Sequence, residues 1–249
     1  MSETTKIAWT DSTFNPWWGC SKVGPGCDHC YAEALDHRTG GKHWGSRTLP
    51  RTMSERNWKM MERLHSHDLK DQVRRKVFSG SMCDVFDKNA PIGQRERLWE
   101  IVRLTPLFHW QLLTKRAPNI SRYLPEDWGS GYENVWLGVT VEDQKHGLKR
   151  MEALKRVPAK VRFISVEPLI EDLGEVDLSG IDWVIVGGES GHHARPMEQA
   201  WVERIYKQSQ EQNVPFFFKQ WGGRSSDKGG SLFHGEEVKE WPEYYMENL

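Results

Sequence analysis

The sequence predicts an α/β protein built on a partial, open parallel β/α barrel of six to seven strands. Short runs rich in β-branched and aromatic residues recur along the chain, and several of the gaps between them hold amphipathic helical patterns; that alternation is the signature of βαβ units. The length of 249 residues suits one domain, 1–249, with a single large core. Seven strands fall short of a closed eightfold barrel, so an open one is expected.

Taken in order, a first strand is expected at about 12–18, just before a cysteine cluster. The polar, basic stretch at about 36–75 reads as an insertion, partly helical around 52–66. KVFSGSM (76–82), HWQLLTK (109–115), NVWLGVTVE (134–142), VRFISVE (161–167), DWVIVGGE (182–189) and PFFFKQW (215–221) read as buried strands. Helices are expected at 91–105, 142–157 and 197–212; in the last, Trp201, Ile205, Val202 and Tyr206 share one side. The glycine-rich GGRSSDKGG (222–230) reads as a loop opening a C-terminal tail at about 222–249.

The formal net charge of -1 provides no global pull towards nucleic acid or anionic membrane, although both signs are abundant enough to form local patches. The first residues, MSETTKIAWTDSTF, lack the apolar core of a signal peptide, and no later run reaches membrane-spanning length. A cytoplasmic protein without membrane association is expected. In a reducing compartment, clustered cysteines more often bind metal or do chemistry than form disulfides.

Three of the four cysteines, Cys20, Cys27 and Cys30, are spaced C-x6-C-x2-C within WWGCSKVGPGCDHCYAEA (17–34). The CxxC pair lets two thiolates converge on one centre, and SKVGPG can loop the earlier cysteine back to it. A structural zinc site takes four protein ligands, with His29, His37 or His43 available as the fourth. A 4Fe-4S cluster held by three thiolates instead leaves one iron open. The spacing leaves both alternatives standing. Cys83, outside the motif, reads as a buried or site-adjacent thiol.

At these residues the chain resembles the radical S-adenosylmethionine (SAM) superfamily. It is most similar to a phage-associated family of uncharacterised radical-SAM-like proteins with NPWWGC...GCxxCYAE and a later WVIVGGESG, and more distantly to spore photoproduct lyase. The likeness runs from about Ala8 to Gly222. It implies a 4Fe-4S cluster on Cys20, Cys27 and Cys30 as the catalytic and metal-binding centre, SAM as cofactor, and a reductant for the cluster. It also implies a cytoplasmic location, that of the host if the chain is phage-encoded. Two departures stand out. Most of the superfamily uses C-x3-C-x2-C, and an aromatic residue usually precedes the third cysteine, where this chain has His29, with Tyr31 just after.

Ligands of parallel α/β folds sit at the carboxyl ends of the strands, and each run here finishes in polar residues. Set on the superfamily plan, Ser81 and Asp84 are expected at the SAM amine, Lys115 and Arg116 at its carboxylate, Thr140 and Glu142 at the ribose hydroxyls, and Glu167 at the rim. VGGESG ends the sixth strand and not the second, so Glu189, with Arg195 of HHARP, is expected at the substrate. The substrate class expected is a nucleic-acid base or nucleotide. Its support is the basic stretch 145–162, with Lys145, Lys149, Arg150, Lys155, Arg156, Lys160 and Arg162, and LTKRAPNISR (113–122), with Trp17, Trp18, Trp44 or Trp221 to stack a base. A solvated helix face is the alternative for that stretch. Two further readings stay open: a zinc-stabilised nucleic-acid- or protein-binding barrel without catalysis, and a degenerate fold acting with a partner protein.

Overall fold

The computed structural model describes residues 2–247. Its strands are β1 (Ser12–Phe14), β2 (Trp17–Trp18), β3 (Arg51–Thr52), β4 (Arg75–Ser79), β5 (Phe108–Thr114), β6 (Val135–Thr140), β7 (Val161–Val166), β8 (Trp183–Gly187) and β9 (Phe216–Gln220). Its α-helices are α1 (Tyr31–Arg38), α2 (Glu55–Asp71), α3 (Gln94–Leu104), α4 (Ile120–Tyr123), α5 (Lys149–Lys155), α6 (Gln199–Glu211) and α7 (Glu243–Glu247). Seven strands make one sheet in the order β1-β4-β5-β6-β7-β8-β9. The pairs β1/β4, β4/β5, β7/β8 and β8/β9 are parallel. This is the partial, open parallel β/α barrel that the alternation of strand and helix predicts.

The first predicted strand differs from expectation. Pro16 has no N–H to donate, and Asn15 turns its side chain onto the end of β4, accepting from Met82 N at 2.7 Å and donating to Ser81 Oγ at 2.9 Å. The run therefore stops at Phe14, and β2 leaves the sheet to pair antiparallel with β3. The chain divides into two compact units, with the boundary passing through β6.

The first unit holds residues 1–22, 32–137 and 158–160. Phe14 packs edge-on against Trp58 at 4.9 Å and Trp110 at 5.8 Å, joining β1, α2 and β5 in one aromatic core. The Trp110 indole N–H donates to Thr105 Oγ1 at 2.9 Å, so its burial leaves no polar group bare. Within the 36–75 insertion, α2 runs longer than expected because Trp58, Met61, His65 and Asp68 continue one buried stripe. The helix ends at Gln72 in a left-handed conformation, and Arg75 returns to Asp68 through a two-pronged ion pair at 2.5 and 2.8 Å.

The second unit holds residues 23–31, 138–157 and 161–249. Gly138 in β6 lies under the Phe163 ring, where a Cβ would sit 2.4 Å from ring carbon, so only glycine lets the two strands meet there. The helix predicted at 142–157 begins as a π-turn, Gln144–Leu148, because Asp143 accepts from the backbone N–H of both His146 and Gly147. The buried side of α6 is centred on Val202, Ile205 and Ser209, with Trp201 only half-buried. The glycine-rich 222–230 segment closes on itself through Gly222 N to Lys228 O and Trp221 N to Gly230 O. Beyond it the tail lies antiparallel along β9, with Phe218 N donating to Val238 O and Glu240 N to Phe216 O. Trp241 stacks on Trp183 at 5.1 Å.

Candidate functional site

In the first unit the chain leaves β2 through Gly19, whose φ of 127° favours glycine, and whose N–H donates to Met82 O. Cys20 follows. Its Sγ accepts from Arg116 Nη1 at 3.4 Å, and Arg116 Nη2 donates to both the carbonyl and the hydroxyl of Ser21 at 2.9 Å. Two buried carboxylates back the guanidinium: Asp84 Oδ2 at 3.2 Å and Asp87 Oδ2 at 2.8 Å. Asp84 is held in turn by Thr114 Oγ1 at 2.7 Å, Phe86 N at 3.0 Å and Lys115 N at 3.1 Å. Burial pushes the Cys20 thiol up to about 12, with Asp84 and Asp87 adding to the rise and Arg116 opposing it. Cys83 is buried, and its thiol is pushed up by burial and then by Cys20.

The structure thus brings Cys20, Asp84 and Arg116 into one network. Lys115 contributes its backbone N–H to it, and Ser81 meets Asn15 beside it. Asp87 and Asn15 were not among the expected residues; the spacing of two acids in CDVFD was the available signal for the former. His43, a candidate fourth zinc ligand, places Nδ1 2.7 Å from the buried Asp36.

In the second unit, Pro25–Cys27 forms a 3-10 turn that leads to Cys30 and α1. Gly26 rests on Glu142: a Cβ there would meet Glu142 Cγ at 2.7 Å and Oε1 at 2.9 Å. Gly24 lies against Arg150, 3.1 Å from Nη2 by the same measure. Glu142 is fully buried; its Oε2 pairs with Arg150 Nη1, while Oε1 has no hydrogen-bond partner. Thr140 is buried beside them, its carbonyl accepting from Arg150 Nη1 at 3.2 Å.

Glu189 and Arg195 form a second pair under the same turn. Arg195 donates to Glu189 from Nη2 at 2.6 Å, and from Nε and its backbone N–H at 2.9 Å each. His29 Nδ1 lies 3.0 Å from Glu189 Oε2, and Arg195 Nη2 also donates to Pro25 O at 3.0 Å. Burial raises the Glu189 carboxyl, but Arg195 and His29 outweigh it and hold the group down at about 2. Glu167 pairs with Lys219, and a Cβ on Gly187 would lie 3.4 Å from its carboxyl carbon.

The cysteines Cys20, Cys27 and Cys30 are free and half-buried. Among the described residues, no three His, Cys, Asp or Glu side chains gather as a metal-binding group. The expected basic stretch is partly spent internally. Arg150 is buried on Glu142, Lys155 pairs with Glu152 and Asp177, Lys160 with Glu133, and Arg162 donates to Val157 O. Lys145, Lys149 and Arg156 remain exposed. Of the tryptophans expected to stack a base, Trp17 is fully buried and Trp18 is covered by the Arg51 guanidinium at 4.5 Å. No helix among the described residues is long and apolar enough to cross a membrane.

The family model described as Protein of unknown function (DUF5131) matches residues 4–242. Neither a curated protein nor a solved structure matches the chain.

Proposed function

The chain belongs to the DUF5131 family of unknown function; from its cysteine motif and its barrel we propose that it is a radical SAM enzyme. Its three-cysteine motif would hold a 4Fe-4S cluster, with a nucleic-acid base or nucleotide as the substrate class. One observation carries the reading: three free thiols, with no fourth at the motif, follow in sequence the first strand of an open parallel β/α barrel and the short β2 after it. The donor set suits the group, since three thiolates leave one iron of a cubane available to a cofactor. Gly24 and Gly26 let the segment between the first and second thiols lie flat on Glu142 and Arg150.

When bound, such a cluster supplies the electron for reductive cleavage of SAM, and a reductant must feed it. The chain's own residues do the positioning. Arg116 holds the Cys20 segment through Ser21 and presents a guanidinium to the sulfur, with Asp84 and Asp87 fixing it from behind. Ser81, Asp84, Lys115 and Arg116, at the ends of β4 and β5, offer donors and acceptors suited to an amino-acid head group. The free Oε1 of Glu142 supports a role as acceptor for a ribose hydroxyl, because a buried carboxylate oxygen without a donor is costly. Thr140 and Glu167 line the ends of β6 and β7. Exposed Lys145, Lys149 and Arg156 support a phosphate-bearing substrate.

Anaerobic reconstitution tests the proposal. Protein loaded with about four irons per chain should bind SAM and, once reduced with dithionite, release 5'-deoxyadenosine and methionine. Cys20→Ala, Cys27→Ala and Cys30→Ala should each lose the iron, whereas Cys83→Ala should keep it. Stoichiometric zinc in place of iron and sulfide after anaerobic purification would overturn the reading in favour of a zinc-stabilised binding protein. A full cluster that binds SAM without cleaving it would favour a non-catalytic partner subunit.

A further inference from the structure

We infer that Glu189 and Arg195 are positioning residues that dock the turn carrying Cys27 and Cys30. Glu189 grips the turn at two points. It meets His29, the residue before Cys30, directly, and it aims Arg195 at the carbonyl of Pro25, two residues before Cys27. The guanidinium is locked for that task, because its Nε and Nη2 form a two-pronged pair with the carboxylate and its backbone N–H adds a third bond. The side chain of Arg195 is about one quarter exposed and that of Glu189 only 5 %, so the carboxylate has exchanged water for these partners.

Gly188, just before Glu189, and Gly222, after β9, serve the same end. A Cβ on Gly188 would lie 1.9 Å from Trp221 O, and one on Gly222 2.4 Å from Glu189 O. These positions let the ends of β8 and β9 close on each other, through Gly188 N to Gln220 O and Gly223 N to Glu189 O. The backbone of Glu189 is thereby fixed before its side chain meets the turn. VGGESG is on this account the foundation of the cysteine turn.

The inference rests on the radical SAM reading only in taking Cys27 and Cys30 as ligands, and its test works on metal-free protein. Iodoacetamide alkylation of each cysteine is timed by peptide mass spectrometry in the native chain and in Arg195→Ala, Arg195→Lys and Glu189→Gln. Arg195→Ala should speed labelling of Cys27 and Cys30 roughly tenfold, the effect of losing one charge-assisted hydrogen bond. Cys20, held by Arg116, should label at its native rate. Arg195→Lys should restore part of the protection, since it keeps the charge and loses the fork. Unchanged labelling of Cys27 and Cys30 in Arg195→Ala would overturn the inference. If that variant also exposes the buried Cys83, its fold is lost and the nearly isosteric Glu189→Gln decides by the same criterion. Iron content of the native chain, measured separately, keeps the two ideas apart. Faster labelling without iron in the native chain overturns only the cluster; iron with unchanged labelling overturns only the docking role.

Discussion

Replacing Arg116 by Met removes one guanidinium from between two carboxylates, a thiol and a serine. Asp84 and Asp87 are 5 % and 4 % exposed, so neither recovers water when the cation goes. Asp84 keeps Thr114 Oγ1 and two backbone N–H groups, and Asp87 keeps the N–H of Asn89. What is lost is the countercharge, and breaking a buried ion pair from one side costs about 3–5 kcal/mol. Urea unfolding of the metal-free protein at neutral pH, followed by tryptophan fluorescence, should show that loss as a lower midpoint with an unchanged slope. The triple variant Arg116→Met, Asp84→Asn, Asp87→Asn removes both charges with their partner and should recover much of the loss, because neutral groups tolerate the site better than stranded carboxylates. A cost under about 1 kcal/mol for Arg116→Met, or a triple variant less stable than the single one, would refute the account of this network as charge pairing.

Three other outcomes are expected. Gly26→Ala drives a methyl group into Glu142, so iron loading should fall while the midpoint of urea unfolding in the metal-free protein moves by about 1–3 kcal/mol equivalent; normal loading would show that the turn tolerates a side chain. His109 is buried on β5 against Trp136 and opposite Lys76, and burial, then Arg74 and Lys76, lower its pKa to about 4. The unfolded chain takes up the proton first as pH falls, so this contribution is complete above about 6.5 and is lost between there and about 4, worth at most about 3 kcal/mol. His109→Gln should flatten stability across that window, and a slope equal to the native one would refute the assignment. Oligonucleotide binding across a salt series should weaken in Lys145→Ala, Lys149→Ala, Arg156→Ala, with a slope smaller by about 2–3; binding unchanged by the triple substitution would remove this face from the substrate proposal.

The strands were legible because each is a buried apolar run with a polar finish: β6 to β9 fall within the runs read from the sequence, and β4 and β5 begin one residue before theirs, at Arg75 and Phe108. The start of the chain was not, because Trp17 and Trp18 look like strand continuation while Pro16 and the side chain of Asn15 decide otherwise. The strand-end residues were legible as a set, since position along a parallel strand determines where they emerge. Their partners were not. Nothing local tells Glu142 that Arg150, one of a run of basic residues, will leave the solvent to meet it, or that Glu189 will join His29 from 160 positions away. Long-range pairing of this kind is a product of topology, and charge counted along the sequence misses it: four of the seven cations between 145 and 162 are occupied by the protein itself.

An open sheet ends in two strands whose outer backbone groups would ordinarily invite another chain. Here the chain supplies its own neighbours: Ser2 exchanges two hydrogen bonds with Thr13 beside β1, and residues 238–240 run antiparallel along β9. Growth of the sheet by strand addition is blocked at those points. At those points a partner meets side chains and not open backbone, and deletion of 236–241 should increase self-association through the uncovered edge of β9, read as a rise in apparent mass by light scattering.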